Sequence, residues 1–369
     1  MPREGLAPGA HTVRLEITDR QGLANSRTLT FWLDEGPVRL RWQTALEGAV
    51  AATPLLVGDR LYVANLAGGF SALARADGSR VCHFPARGAL RGGPVAADDL
   101  LFFADAEGMI YALDPARRQT RWQVPAGRAV TAPLRAVADR LLCATTGGEV
   151  LCLQRATGAV LWRTPVANYA IESAPVSDGT TVYLGAWDRH VHALELATGA
   201  RRWQALSQGA DRAAAAEYYS PADGSPVVVG GQVWVCDRGY YLTVLDAATG
   251  QRLRSEPQCV AVAPTLEGQG CYIRHTDNRV TRRAADGTVR WTANVPTGAV
   301  PVPPVAVGDR VLVVSSLGVL SWLEADTGAL VAQYNASPGQ YVLAAPAAAG
   351  AEVYLADLAG NLLALELAK

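Results

Sequence analysis

Residues 175–203 read PVSDGTTVYLGAWDRHVHALELATGARRW, and the spacing of turns in this stretch decides the fold. A short strand leaves Pro175 and meets a turn at Ser177-Asp178-Gly179. Val182-Tyr183-Leu184 forms a second strand, Trp187-Asp188-Arg189-His190 a tight polar turn, and Val191-His192-Ala193-Leu194 a third strand. A Thr198-Gly199 turn then leads into a last strand carrying Trp203. Brief alternating runs bounded by Gly and Asp are the pattern of antiparallel β structure.

The same grammar recurs along the chain. Landmark prolines stand at Pro54, Pro94, Pro133, Pro175, Pro226, Pro264, Pro304 and Pro346, about 40 residues apart except for 51 between Pro175 and Pro226. Four short strands per period of about 40 residues is the arithmetic of a β-propeller blade. One four-stranded blade cannot bury both faces, so each must stack on its neighbours. The eighth unit, from Pro346 to Lys369, lacks an outer strand, whereas Val38-Arg39-Leu40-Arg41-Trp42-Gln43 precedes the first proline and carries a tryptophan at the right place. The expectation is an all-β, eight-bladed propeller over residues 37–369, closed by strand 38–46 completing the last blade, which removes two sheet edges.

Trp42, Trp122, Trp162, Trp203 and Trp291 fall on the outer strand, and in blades 3, 4 and 6 the tryptophan follows the turn glycine (Gly158, Gly199, Gly287) by four residues. A large ring repeated at one register is structural, lying across the seam between blades. Blade 1 has Cys82 there, blade 5 Arg254 and blade 7 Ala332; those seams are expected to dock less tightly. The repeat Leu194-Glu195-Leu196-Ala197-Thr198-Gly199 through Trp203, matched by Leu153 to Trp162 and by Leu245 to Gly250, resembles the PQQ-like β-propeller family over about 330 residues. The resemblance implies the fold and leaves two activities open, because the family holds quinoprotein dehydrogenases and cofactor-free scaffolds. Dehydrogenases of the family are longer, and many have adjacent cysteines over the quinone; this chain has no adjacent pair. No cofactor and no catalytic residue are carried over.

Composition narrows the partners. The net charge of -1 argues against a nucleic-acid binder that relies on neutralising phosphates. Lys369 is the only lysine, which removes lysine catalysis. No apolar run reaches about 18 residues, so no membrane insertion is expected. Residues 1–36 do not fit the repeat. They read as two strands around Gln21-Gly22 and resemble the last hairpin of a bacterial Ig-like module, or a linker. The expectation is a monomeric propeller within a longer, periplasmic or secreted protein, with an upstream domain or a separate protein as its partner. An accessory role beside an upstream metallophosphoesterase-type hydrolase is a further alternative. Among six cysteines, Cys143 and Cys152 flank Gly147-Gly148. A two-residue hairpin loop there would set them opposite each other, within disulfide reach.

Loops leading into the inner strands and turns joining the second and third strands share one face, where loop chemistry concentrates. Blades 1, 2, 7 and 8 carry bland turns. Blade 4 offers Trp187, Asp188, Arg189 and His190, blade 5 Asp237, Arg238, Tyr240 and Tyr241, and blade 6 Arg274, His275, Asp277, Asn278 and Arg279. The long spacing before blade 5 adds Asp211 to Ala216, Glu217, Tyr218 and Tyr219. Trp187, Asp188, Arg189, His190, Tyr218, Tyr219, Asp237, Arg238, His275 and Asp277 are the candidate partner-binding residues, because Arg, Tyr and Trp are the residues of interaction hot spots. The histidines and aspartates sit on separate blades without ligand spacing, so no metal site is expected.

Overall fold

The computed structural model describes residues 9–368 apart from 19, 23, 34–35 and 212–216. Strands Gly9–Thr18 and Ala24–Leu33 pair with each other as a hairpin, and every other strand lies in one of eight four-stranded antiparallel sheets. Seven of these are built from four consecutive strands, as in Val176–Ser177, Thr181–Gly185, His190–Glu195 and Arg201–Leu206 of blade 4. The eighth takes three strands from the end of the chain, and Val38–Ala45 pairs with Asn361–Leu367 as its outer strand. The ring therefore closes as the sequence arithmetic requires. Between successive sheets lie buried clusters of Leu, Val, Ala and aromatic side chains, one against the next around the ring.

Each outer strand carries a β-bulge just before the tryptophan register, for example at Ala193/Leu194 opposite Arg201 and Trp203. A bulge sharpens the local twist and turns the ring over the seam. There each indole N–H donates to a carbonyl of the next blade: Trp42 to Arg75, Trp122 to Arg155, Trp162 to Leu196 and Trp203 to Ala247 at 3.0 Å, and Trp291 to Ala325 at 2.8 Å. Beneath the ring lies the turn glycine of that next blade. Gly199 has φ +75°, and a Cβ added to it would sit 2.6 Å from the Trp162 ring. Only glycine offers both that conformation and that clearance.

The three seams without an outer tryptophan are filled by other side chains. In blade 5 the aromatic ring moves to the second strand as Trp234, fully buried, with the Arg254 guanidinium 4.5 Å above it. Arg254 Nη2 donates to Ala285 at 2.9 Å, replacing the indole N–H. In blade 7 the ring moves to the third strand as Trp322, opposite Ala332. Blade 1 stacks Phe70 on Phe103 of blade 2 at 4.2 Å.

Two expectations change. Blade 6 has its inner strand at Cys259–Pro264, before the landmark proline, because only Gln258 separates it from the outer strand of blade 5. Cys143 pairs with Leu151 and Cys152 with Leu142, so the two thiols are not opposite. The turn spans Thr145 to Gly148, longer than the two-residue loop, and this one-residue register change sends the cysteines to opposite faces. Non-reducing peptide mapping should find no Cys143–Cys152 link. Trp203→Ala should lower unfolding stability by about 3 kcal/mol or more, and Trp203→Phe by about 1 kcal/mol through the lost hydrogen bond. Urea titration checks both; equal losses would assign the seam to ring volume alone.

Candidate functional site

The turn between the second and third strands is built the same way in most blades. Its first residue caps the turn by accepting backbone N–H bonds: Asn65 from Ala67 and Gly69, Asp105 from Glu107 and Met109, Asp357 from Ala359 and Asn361. Its fourth residue has φ near +80°, and in blades 1, 2, 3, 7 and 8 it is Gly68, Gly108, Gly148, Gly318 and Gly360. Blades 4, 5 and 6 place Arg189 (φ 75°), Tyr240 (φ 59°) and Asn278 (φ 67°) in that same left-handed conformation. Asn tolerates it, but an Arg or Tyr costs roughly 1–2 kcal/mol.

Two of these turns meet the insertion of residues 207–226. Ser220, fully buried, accepts from the Arg189 N–H on its Oγ at 2.9 Å and from the Arg238 N–H on its carbonyl at 3.2 Å. A Cβ on Gly185 would lie 1.9 Å from the Pro221 carbonyl, so the missing side chain lets the insertion press onto blade 4. The result is one cluster. The Arg238 guanidinium lies 5.8 Å from the Trp187 ring and 5.7 Å from the Tyr218 ring, and pairs with Asp223 at 2.5 Å. Burial opposes its charge, but Asp223 and Tyr218 hold its pKa above the ordinary value. Trp187 Nε1 donates to Glu172 at 2.9 Å, and Tyr219 meets Tyr218 edge-on at 5.6 Å. Tyr218, Tyr219 and Tyr240 are exposed.

The other candidates have different surroundings. Asp188 bonds the Nε2 of buried His192 at 2.9 Å, and its backbone carbonyl meets His190 Nδ1 at 2.7 Å. Burial would raise the Asp188 pKa, yet these histidines hold it below the usual value. Asp237 is the cap of its turn: it accepts from Gly239, from Tyr241 and, across to the insertion, from Gly209 at 2.8 Å. Burial raises its pKa despite those bonds. His275 is fully buried, with Nε2 on Thr281 at 3.0 Å and Nδ1 facing Cys259 Sγ at 3.8 Å, and burial pushes its pKa down to about 4. Asp277 pairs with Arg279 at 2.7 Å on the surface. The structure thus joins Trp187, Arg238, Tyr218 and Tyr219, holds Asp188 beside His190, and turns His275 inward. Residues 212–216 of the insertion lie outside the described residues.

Sequence reading missed Glu172, Asp223 and Ser220. They sit in loops of ordinary turn composition: Glu172 comes from the connection into blade 4, and Ser220 and Asp223 reach the turns through the folding back of the insertion. Glu172 and Asp223 also line the mouth of a central cavity of about 460 Å³, together with Pro54, Pro94 and Pro133. A second group, Glu256, Cys259 and His275, brings three potential ligand atoms within 4.8 Å of one another.

Eight four-stranded blades, docked at five seams by outer-strand tryptophans on turn glycines, define a propeller of PQQ-like repeats. The family model described as "Outer membrane protein assembly factor BamB" matches residues 27–115, 106–263 and 256–369, and the chain belongs to that family. The BamB of Salmonella typhimurium (strain LT2) is 28% identical over 163 residues, 44% of this chain and 42% of that protein, so the match spans less than half of the relative's length. Among solved structures, BamB from Moraxella catarrhalis superposes with a TM-score of 0.71 at 20% identity, covering 89% of this chain and 99% of that one. A quinohemoprotein alcohol dehydrogenase from Comamonas testosteroni gives 0.69 at 12% identity, covering 90% and 77%. At those identities the superpositions establish the fold.

Tyr240→Gly should raise unfolding stability by about 1 kcal/mol by releasing the left-handed strain, while Gly318→Ala in the bland blade 7 turn should lower it. Chemical denaturation of the two variants checks this; a destabilised Tyr240→Gly would show that the ring is needed for packing.

Proposed function

We propose that the chain is a non-catalytic scaffold that engages a protein partner through the turns of blades 4 and 5 and the insertion between them, with the polar turn of blade 6 at the edge of the contact. The observation that carries this reading is the coincidence of three features in one sector. Left-handed non-glycine residues occupy the turns of blades 4 to 6, the longest connection precedes blade 5, and an Arg–Trp–Tyr cluster forms where they meet. Aromatic rings and a guanidinium held in place by an ion pair lose little freedom on binding, so their contact area converts efficiently into affinity. The name of the family points to a partner in outer-membrane protein assembly, and hence to an extracytoplasmic setting for this chain.

The dehydrogenase alternative shares only the fold with the quinohemoprotein. Placing residues 1–36 in an Ig-like module of a longer protein is compatible with the scaffold reading, since such a module would tether the propeller near its partner.

A photo-crosslinking residue at Tyr219 should capture a discrete partner in the source cells, and one at Leu317, exposed on the bland blade 7 turn, should not. Arg238→Ala and Tyr218→Ala should each reduce recovery about 30-fold, the effect of a hot spot worth about 2 kcal/mol. Equal crosslinking at the two positions, or unchanged recovery from folded variants, would overturn the assignment.

A further inference from the structure

We propose that Glu256, Cys259 and His275 form a binding site for a zinc-class divalent cation at the seam between blades 5 and 6. The three residues come from different strands. Glu256 is near the end of the outer strand of blade 5, Cys259 opens the inner strand of blade 6, and His275 ends that blade's second strand, opposite Cys259. What brings the first two together is the shortest inter-blade connection in the ring. Elsewhere the chain runs through nine or more residues between the outer strand of one blade and the inner strand of the next, as in 86–94 and 126–134. Here Gln258 alone makes the link, at φ 64°, a strained conformation for a side chain of this size.

The donor set is chemically specific. Carboxylate, thiol and imidazole together suit a borderline-soft ion, whereas Ca²⁺ and Mg²⁺ prefer oxygen alone. Zinc bonds of about 2.3 Å to sulfur and about 2.0 Å to nitrogen at a tetrahedral angle put the two ligand atoms about 3.5 Å apart. Cys259 Sγ and His275 Nδ1 are 3.8 Å apart, and both residues are fully buried. The partners of the ligands are also in place. The Thr281 hydroxyl lies 3.0 Å from Nε2 and can accept a hydrogen bond from it, in the tautomer whose Nδ1 lone pair faces the thiol. Arg283 Nη2 donates to one Glu256 oxygen at 2.6 Å and orients the carboxylate. Such outer contacts are characteristic of built metal sites.

The register gives a further reason. His275 stands where Asn65, Asp105 and Asp357 cap their turns in other blades, yet its ring is directed at Cys259 and Thr281. Binding replaces the thiol proton: the Cys259 S–H bond breaks, a sulfur–metal bond forms, and one proton leaves to solvent. The 2+ charge is then balanced by the thiolate and the carboxylate, which makes a buried ion tolerable.

The test uses the full chain, stripped with a chelator and titrated with Co²⁺. The expected result is one equivalent bound, with tetrahedral visible bands and a near-ultraviolet thiolate charge-transfer band, both displaced by Zn²⁺. Cys259→Ser should abolish the charge-transfer band, and Cys82→Ser should leave it intact. Should Cys259→Ser misfold by circular dichroism, Glu256→Gln decides, because its amide oxygen still accepts from Arg283; it should weaken Co²⁺ at least tenfold. No charge-transfer band in folded wild-type protein at millimolar Co²⁺ overturns the site. A band that survives Cys259→Ser, or a smaller effect of Glu256→Gln, overturns it as well.

Discussion

An indole N–H reaching across a seam to the next blade's carbonyl, with its ring resting on that blade's turn glycine, is the contact on which the ring depends. Five seams make it with bonds of 2.8–3.0 Å. A single neutral hydrogen bond adds only about 1 kcal/mol, so its main effect is geometric. It fixes where the ring of one blade meets the turn of the next, and thereby the angle between sheets. Apolar burial supplies the bulk of the free energy, but it is not directional, and eight blades close into a circle only if every angle is nearly the same. Blade 5, lacking the tryptophan, has a comparable bond through Arg254 to Ala285, while the seams of blades 1 and 7 are filled by the Phe70–Phe103 stack and by Trp322.

With the angle fixed at the outer strands, the turns near the channel are free to differ. Most do not: they share a side-chain cap and a left-handed glycine. Where the glycine is replaced, the backbone keeps its conformation and carries the strain, because the flanking strands over-determine it. Arg189 and Tyr240 are therefore held by the scaffold, and neither opens its turn. The insertion exploits the same rigidity. It is anchored through Ser220 and through Asp237, whose carboxylate bonds Gly209, and so presents Tyr218 from a fixed base.

The fold was legible because periodic constraints leave periodic residues. Pro54, Pro94 and Trp162 could be read by position alone, and the orphan Val38–Ala45 strand could be matched to the incomplete last blade. What could not be read was compensation. Trp234 and Trp322 sit on a second and a third strand, and nothing in their local sequence says that they stand in for a missing outer ring. The register of Cys143 and Cys152 was misjudged because Gly147-Gly148 suggested a shorter turn than Thr145 makes by capping. The sector of blades 4 to 6 was visible as a change of turn composition, but its assembly was not. Asp223 reaches Arg238 only once the insertion has folded back, and Glu172 reaches Trp187 from the separate connection into blade 4.

The departures from the repeat also neighbour one another, and the physical reason is chain length. Connections of nearly constant length hold each inner strand at the same depth in the ring. Residues 207–226 lengthen one connection, and Gln258 shortens the next to a single residue. Blade 5 lies between these two changes, and its inner neighbours adapt: blade 6 extends its inner strand to Cys259–Pro264, and its turn to the second strand moves to residues 265–269. The shortened link is what draws Glu256 and Cys259 to His275, and the lengthened one is what covers the turns of blades 4 and 5. One local redistribution of chain therefore generates both unusual clusters, with the tryptophan-like contact of Arg254 to Ala285 at the seam between blades 5 and 6.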